Sequence, residues 1–160
     1  MTEVFPAWQI AEMAVLIEET GADFYVKLAD AVEDAELKSF FGYLAQQESE
    51  HAKIFSDLVK EARRSEDLTV YPTDFYHYVR GIAEDLRLSA FGLDARSLAK
   101  GDIIKNLDAA IHVEAKSIEA YTRIYHTLDK RITAVLPRII SEERKHLKDL
   151  TLRKKEKEEQ

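Results

Sequence analysis

The 160-residue sequence predicts an all-α protein: a four-helix bundle with a long crossover connection containing a short helix, built from an internal helix-pair duplication. Three observations lead there. Charged residues make up 33% of the chain and hydrophobic ones 46%, with only 5 Gly and 3 Pro, too few turn formers for an all-β fold. Four long segments carry apolar residues at helical spacing, and the second and third are separated by about 40 residues. Residues 11–58 also repeat as residues 107–153.

The first helix is predicted over about 7–33, with Ala11, Ala14, Val15, Ala22, Tyr25, Leu28, Ala29 and Val32 on one side. The second covers about 35–64. In the connector, Pro72 breaks the pattern, and "TDFYHYVRGIAEDL" places Phe75, Tyr78, Val79, Ile82 and Leu86 at the spacing of one short helix. "SAFGLDARSLAKG" is turn-rich around Gly92 and Gly101. Antiparallel neighbours need only ~2–8 connecting residues, so a connector this long suits a crossover that leaves helices two and three parallel. The third helix is predicted over about 102–127, capped by Asp102. The fourth covers about 129–152, with Asp129 as its cap and a kink or late start near Pro137. Residues 1–152 form the domain, and the charged tail 153–160 has no apolar face and is expected to fray.

Several function classes drop out. The net charge of −7 and the lack of a basic patch argue against a nucleic-acid partner. With no cysteine there is no disulfide, thiol nucleophile, Cys-ligated zinc or iron–sulfur cluster. No apolar run approaches the ~18 residues of a membrane span, and the N-terminus lacks the basic and apolar regions of a secretory signal. An acidic, soluble, cytoplasmic protein is expected.

The repeat carries polar residues where a core stripe belongs. At an offset of 96, Glu18 falls on Glu114 and Tyr25 on Tyr121, while Val15, Leu28 and Val32 meet Ile111, Ile124 and Leu128. After a one-residue deletion the offset is 95, and Leu44, Glu48, His51 and Phe55 meet Ile139, Glu143, His146 and Leu150. A lone Glu-x-x-His is a weak signal; recurrence in register within a repeat whose apolar positions also match is a stronger one. Residues three and four apart share a helix face, so Glu48 projects with His51 and Glu143 with His146. Each long helix thus turns one carboxylate inward, and two add an imidazole. A shifted phase would instead make these surface pairs, or give Glu19 the inward place of Glu18. Taken singly, Tyr25 and Tyr121 read as ordinary core aromatics. Glu50 and Glu142 flank the inward positions and are expected to point outward.

Four unpaired buried carboxylates would be very unfavourable. Two divalent cations cancel the charge of four Glu and two neutral His. Oxygen and imidazole donors without thiolate suit iron or manganese.

This ligand pattern resembles the rubrerythrin branch of the ferritin-like superfamily. The stretches that carry the resemblance are "LIEETGADFYVKLA", "FFGYLAQQESEHAKIF", "AAIHVEAKSIEAYTRIY" and "RIISEERKHLKDL", about two-thirds of the chain. The resemblance implies a ferritin-like bundle holding two iron ions, with Fe/Mn as a variant. It makes Glu18 and His51 terminal ligands of one metal and Glu114 and His146 of the other, bridged by Glu48 and Glu143. It makes Tyr25 and Tyr121 hydrogen-bond partners of ligand carboxylates, and it implies a homodimer. Two departures stand out. Rubrerythrins proper carry a Cys-ligated rubredoxin-like site, absent here, so electrons must come from an external donor such as a rubredoxin-type protein. They also often have an extra Glu three residues after the helix-three ligand, where this chain has Ser117.

The expected function is a non-haem di-iron oxidoreductase that reduces hydrogen peroxide or O₂. The alternatives are a ferroxidase or iron-handling protein acting on ferrous iron, and a metal-free helical interaction module.

Overall fold

In a computed structural model, which describes residues 4–64, 70–91 and 103–160, the first hairpin joins α1 (Ala7–Ala31) to α2 (Ala35–Arg64). Asp34 sets the turn. Its Oδ1 accepts the backbone N–H groups of Glu36 and Leu37 at 3.0 Å each, which satisfies two otherwise unpaired donors at the start of α2. The Leu37 bond, then the Lys157 ammonium on Oδ2, hold the Asp34 carboxyl below its ordinary range.

The connector is helical over α3 (Thr73–Phe91), longer than the sequence pattern suggests, with Val79, Ile82, Ala83 and Leu86 in the core. The turn-rich stretch after Phe91 and the Asp102 cap lie outside the described residues. A short antiparallel ribbon precedes α1 and α3: β1 (Val4–Pro6) pairs with β2 (Val70–Pro72), Phe5 opposite Tyr71. Prolines at the ends of both strands suit so short a ladder.

The second hairpin joins α4 (Ile103–Thr127) to α6 (Leu136–Glu158) through the single turn α5 (Lys130–Thr133). Pro137 occupies the first turn of α6, where its missing N–H leaves no helical bond unmade, so the predicted fourth helix starts late. Over the charged tail, α6 is helical to Glu158. Arg153 reaches Glu36 at 2.7 Å, Lys154 reaches Asp108 at 2.8 Å and Lys157 reaches Asp34 at 2.9 Å. The guanidinium of Arg153 also lies 4.1 Å from the centre of the Phe40 ring.

Side-chain pairing fixes helix direction. Tyr25 of α1 meets Glu114 of α4, while Tyr121 of α4 meets Glu18 of α1. Such crossed pairing requires α1 and α4 to run antiparallel. Since α2 turns back from α1, α2 and α4 are parallel, as the long connector predicts. The buried stripe of α1 follows Ile10, Ala14, Ile17, Glu18, Gly21, Phe24, Tyr25 and Leu28, while Val15, Ala22 and Ala29 are only half-buried. The stripe rotates slightly from the predicted one because alternating steps of three and four keep a helix seam facing its neighbours along its whole length.

Candidate metal centre

Glu18, Glu48, Glu114 and Glu143 are buried midway along α1, α2, α4 and α6, with His51 and His146 one turn beyond the second and fourth. All six predicted side chains meet at the bundle axis, and none is more than 2% exposed. They divide into two overlapping groups, Glu18–Glu48–His51–Glu143 and Glu48–Glu114–Glu143–His146, whose donor atoms lie within 4.8 Å of one another. Glu48 and Glu143 belong to both groups, the places at which the family resemblance puts its bridges.

The imidazoles turn Nδ1 inward. His51 Nδ1 is 2.7 Å from Glu143 Oε1 and 3.4 Å from Glu18 Oε2. His146 Nδ1 is 3.4 Å from Glu143 Oε2, 3.5 Å from Glu48 Oε1 and 3.7 Å from Glu114 Oε2. None of these approaches is a formed hydrogen bond. Glu18 Oε2, Glu48 Oε1, Glu114 Oε2, both Glu143 oxygens and both Nδ1 atoms are buried without a partner. Buried polar atoms are nearly always paired, so seven unpaired lone-pair donors aimed at one space call for a ligand that accepts them all. A pair of dications does so, and the donor set of carboxylate and imidazole fits iron or manganese.

Electrostatics point the same way. Burial, then the Glu143 charge, raises Glu18 to about 7. Burial and the charges of Glu18 and Glu143 push Glu48 well up, and burial with Glu48 and Glu143 does the same to Glu114. Burial disfavours the charged form of His51, but Glu143 and Glu18 outweigh it and raise the ring to about 11. His146 reaches about 12, where Glu114, Glu143 and Glu48 overcome the same burial. Glu143 is also penalised by burial, but the two imidazoles dominate and lower its pKa. Without a metal, protons neutralise the cluster; a metal takes their place.

The tyrosines fix the outer carboxylate oxygens. Tyr25 donates its hydroxyl to Glu114 Oε1, and Tyr121 donates to Glu18 Oε1. Each bond leaves Oε2 turned to the centre. Phe41 packs on the Tyr25 ring and Phe55 on the Tyr121 ring, so apolar layers close the site along the bundle axis. Ser117, where the family often has a further Glu, is buried with its hydroxyl donated to Val113 O at 3.0 Å.

Two residues escaped the sequence reading. A Cβ on Gly21 would fall 2.9 Å from Glu48 Oε2, so this glycine makes room for the shared carboxylate. Its position midway between Glu18 and Tyr25 on a three–four stripe was the available signal. Glu142, expected to point outward, instead accepts a hydrogen bond from His51 Nε2 at 2.7 Å. Only the neighbouring helix brings the two together, so periodicity along α6 could not reveal it. Glu50 does face outward, hydrogen-bonded by Gln46 at 3.1 Å. His77, His112 and His126 lie away from the cluster, with His112 near Asp85 on the surface.

Comparison with known proteins agrees with this geometry. The profile described as Rubrerythrin matches residues 9–90, half of the chain, a span that includes Glu18, Tyr25, Glu48 and His51. No curated protein matches. Among solved structures, a Thermotoga maritima protein described provisionally as a ferritin-like diiron-carboxylate protein superimposes with a TM-score of 0.71. It is 23% identical, and the alignment covers 98% of this chain and 99% of that one. Among the described residues no helix is long and apolar enough to cross a membrane.

Proposed function

The chain belongs to the rubrerythrin family, and from that premise we propose that it is a di-iron oxidoreductase that reduces hydrogen peroxide or O₂. The observation that carries the proposal is the set of unpartnered buried donor atoms on Glu18, Glu48, His51, Glu114, Glu143 and His146. Two ferrous ions held there would supply two electrons, which with two protons reduce one peroxide to two waters. Glu18 and His51 would hold one ion, Glu114 and His146 the other, and Glu48 and Glu143 would be shared. Tyr25 and Tyr121 orient Glu114 and Glu18 through their hydroxyls, and the surrounding apolar layers limit water. We assign the supply of electrons to a donor of the rubredoxin type. A homodimer is the proposed working form.

Anaerobic loading with ferrous iron, followed by separate exposure to O₂ and to peroxide, tests the reading. Rapid oxidation by peroxide with return to the ferrous state on adding a reductant supports an oxidoreductase. Oxidation that ends in a mineral core within a large shell, seen by sizing, supports iron storage instead. Glu48→Ala should abolish two-metal binding, counted by elemental analysis, whereas Glu50→Ala should retain both ions. Equal iron in the two variants would overturn the assignment of facing.

A further inference from the structure

The two halves of the repeat treat their histidines differently. His51 Nε2 meets Glu142 Oε2 at 2.7 Å, and Glu142 Oε1 in turn accepts Arg138 Nε at 3.0 Å. The chain Arg138–Glu142–His51 therefore runs from the exposed helix face to the buried cluster. The offset of 95 that superimposes His51 on His146 also places Gln47 on Glu142 and Tyr43 on Arg138. The amide of Gln47 donates to Glu50 at 3.4 Å, and the Tyr43 ring lies edge-on to His146, 6.3 Å between centres. Backbone positions that hold a carboxylate and a guanidinium in one half hold an amide and a phenol in the other.

A carboxylate on the outer nitrogen keeps the proton on Nε2, leaves the Nδ1 lone pair facing the metal and makes the ring a better donor. We propose that Glu142 is a positioning residue that makes the two metal positions unequal, so that the Glu18–His51 position binds first and more tightly than the Glu114–His146 position. Glu142 touches neither metal nor substrate and acts through His51. The inference rests on the two-metal reading above and goes beyond it, because that reading treats the halves as alike.

The test is stepwise anaerobic titration with Zn²⁺ alone, followed by calorimetry and by NMR of ¹⁵N-labelled histidine, with ring signals assigned through single His→Gln variants. In the wild-type protein the first equivalent should shift the His51 signals and the second those of His146. Glu142→Ala should weaken the tighter step about 10–100-fold. Glu142→Gln should recover part of that loss, since its amide oxygen still accepts from Nε2. Gln47→Ala should leave both steps unchanged. Simultaneous filling of His51 and His146 in the wild type would overturn the inference, as would an E142A titration that is unchanged or weakened equally in both steps. If the wild-type protein binds no zinc, the two-metal reading fails and takes this inference with it; if it binds two ions indistinguishably, only the inference fails.

Discussion

Gly21 stands on α1 between Glu18 and Tyr25, and the space left by its missing side chain belongs to Glu48. An alanine there would put a methyl 2.9 Å from Glu48 Oε2. The carboxylate sits at the far end of a flexible side chain, so it would shift to admit the methyl and leave the place from which both donor groups share it. Gly21→Ala should therefore lower metal affinity. Gly42→Ala in α2, where a Cβ would meet nothing within 4 Å, should raise stability by ~0.5–1 kcal/mol. Urea unfolding checks the Gly42 variant, and elemental analysis of bound metal checks the Gly21 variant. The contrast also marks what could be read one residue at a time. The six inward donors were legible because the repeat printed their pattern twice and burial made it costly without metal. Tyr25 and Tyr121 were legible only as a pair in register. Glu142 was not, because its partner lies 91 residues away on another helix, and its neighbour Glu143 already occupied the inward face.

At the scale of elements, the four long helices followed from apolar period alone, and the late start of α6 followed from Pro137. The ribbon of β1 and β2 was hidden, since three residues are too few for alternation to declare itself. The helix over the tail was hidden for a different reason. It lacks an apolar face, and the sequence read alone gives no view of the helix beside it. Arg153 rests on the ring of Phe40 from α2 and reaches Glu36, so packing from a neighbour supplies what local amphipathicity does not. A cation over an aromatic face contributes ~0.5–1 kcal/mol at a partly exposed site. Arg153→Ala should thus lower the stability of the whole domain by about that much, measured by urea unfolding. A tail that frays would show no change.

Across the whole molecule, the bundle brings four carboxylates together where its core would otherwise be driest, and protons or metal must neutralise them. Without metal near pH 7, His51 and His146, raised to about 11 and 12, are charged. Burial and neighbouring carboxylates shift Glu48 and Glu114 upward as well, and Glu18 at about 7 is part-protonated. Each of these groups has a folded pKa above its ordinary value. Its stabilising contribution is complete below the ordinary value, 4.5 for Glu and 6.5 for His, and declines as pH rises toward the folded one. Glu143, shifted downward, contributes the opposite slope only in acid, below about 4.5. The metal-free protein should therefore lose stability steadily from pH 5 to pH 8. Metal binding must displace the protons on His51 and His146, so affinity rises over the same interval. At a free-metal concentration 100-fold above Kd, binding adds ~2.7 kcal/mol of stability, a margin that widens as pH rises and Kd falls. Thermal unfolding with chelator and with excess Mn²⁺, at pH 5 and at pH 8, measures both slopes. The expected outcome is a falling Tm with chelator and a metal-induced increment larger at pH 8. A metal increment that shrinks with rising pH would mean that the cluster is not exchanging protons for cations.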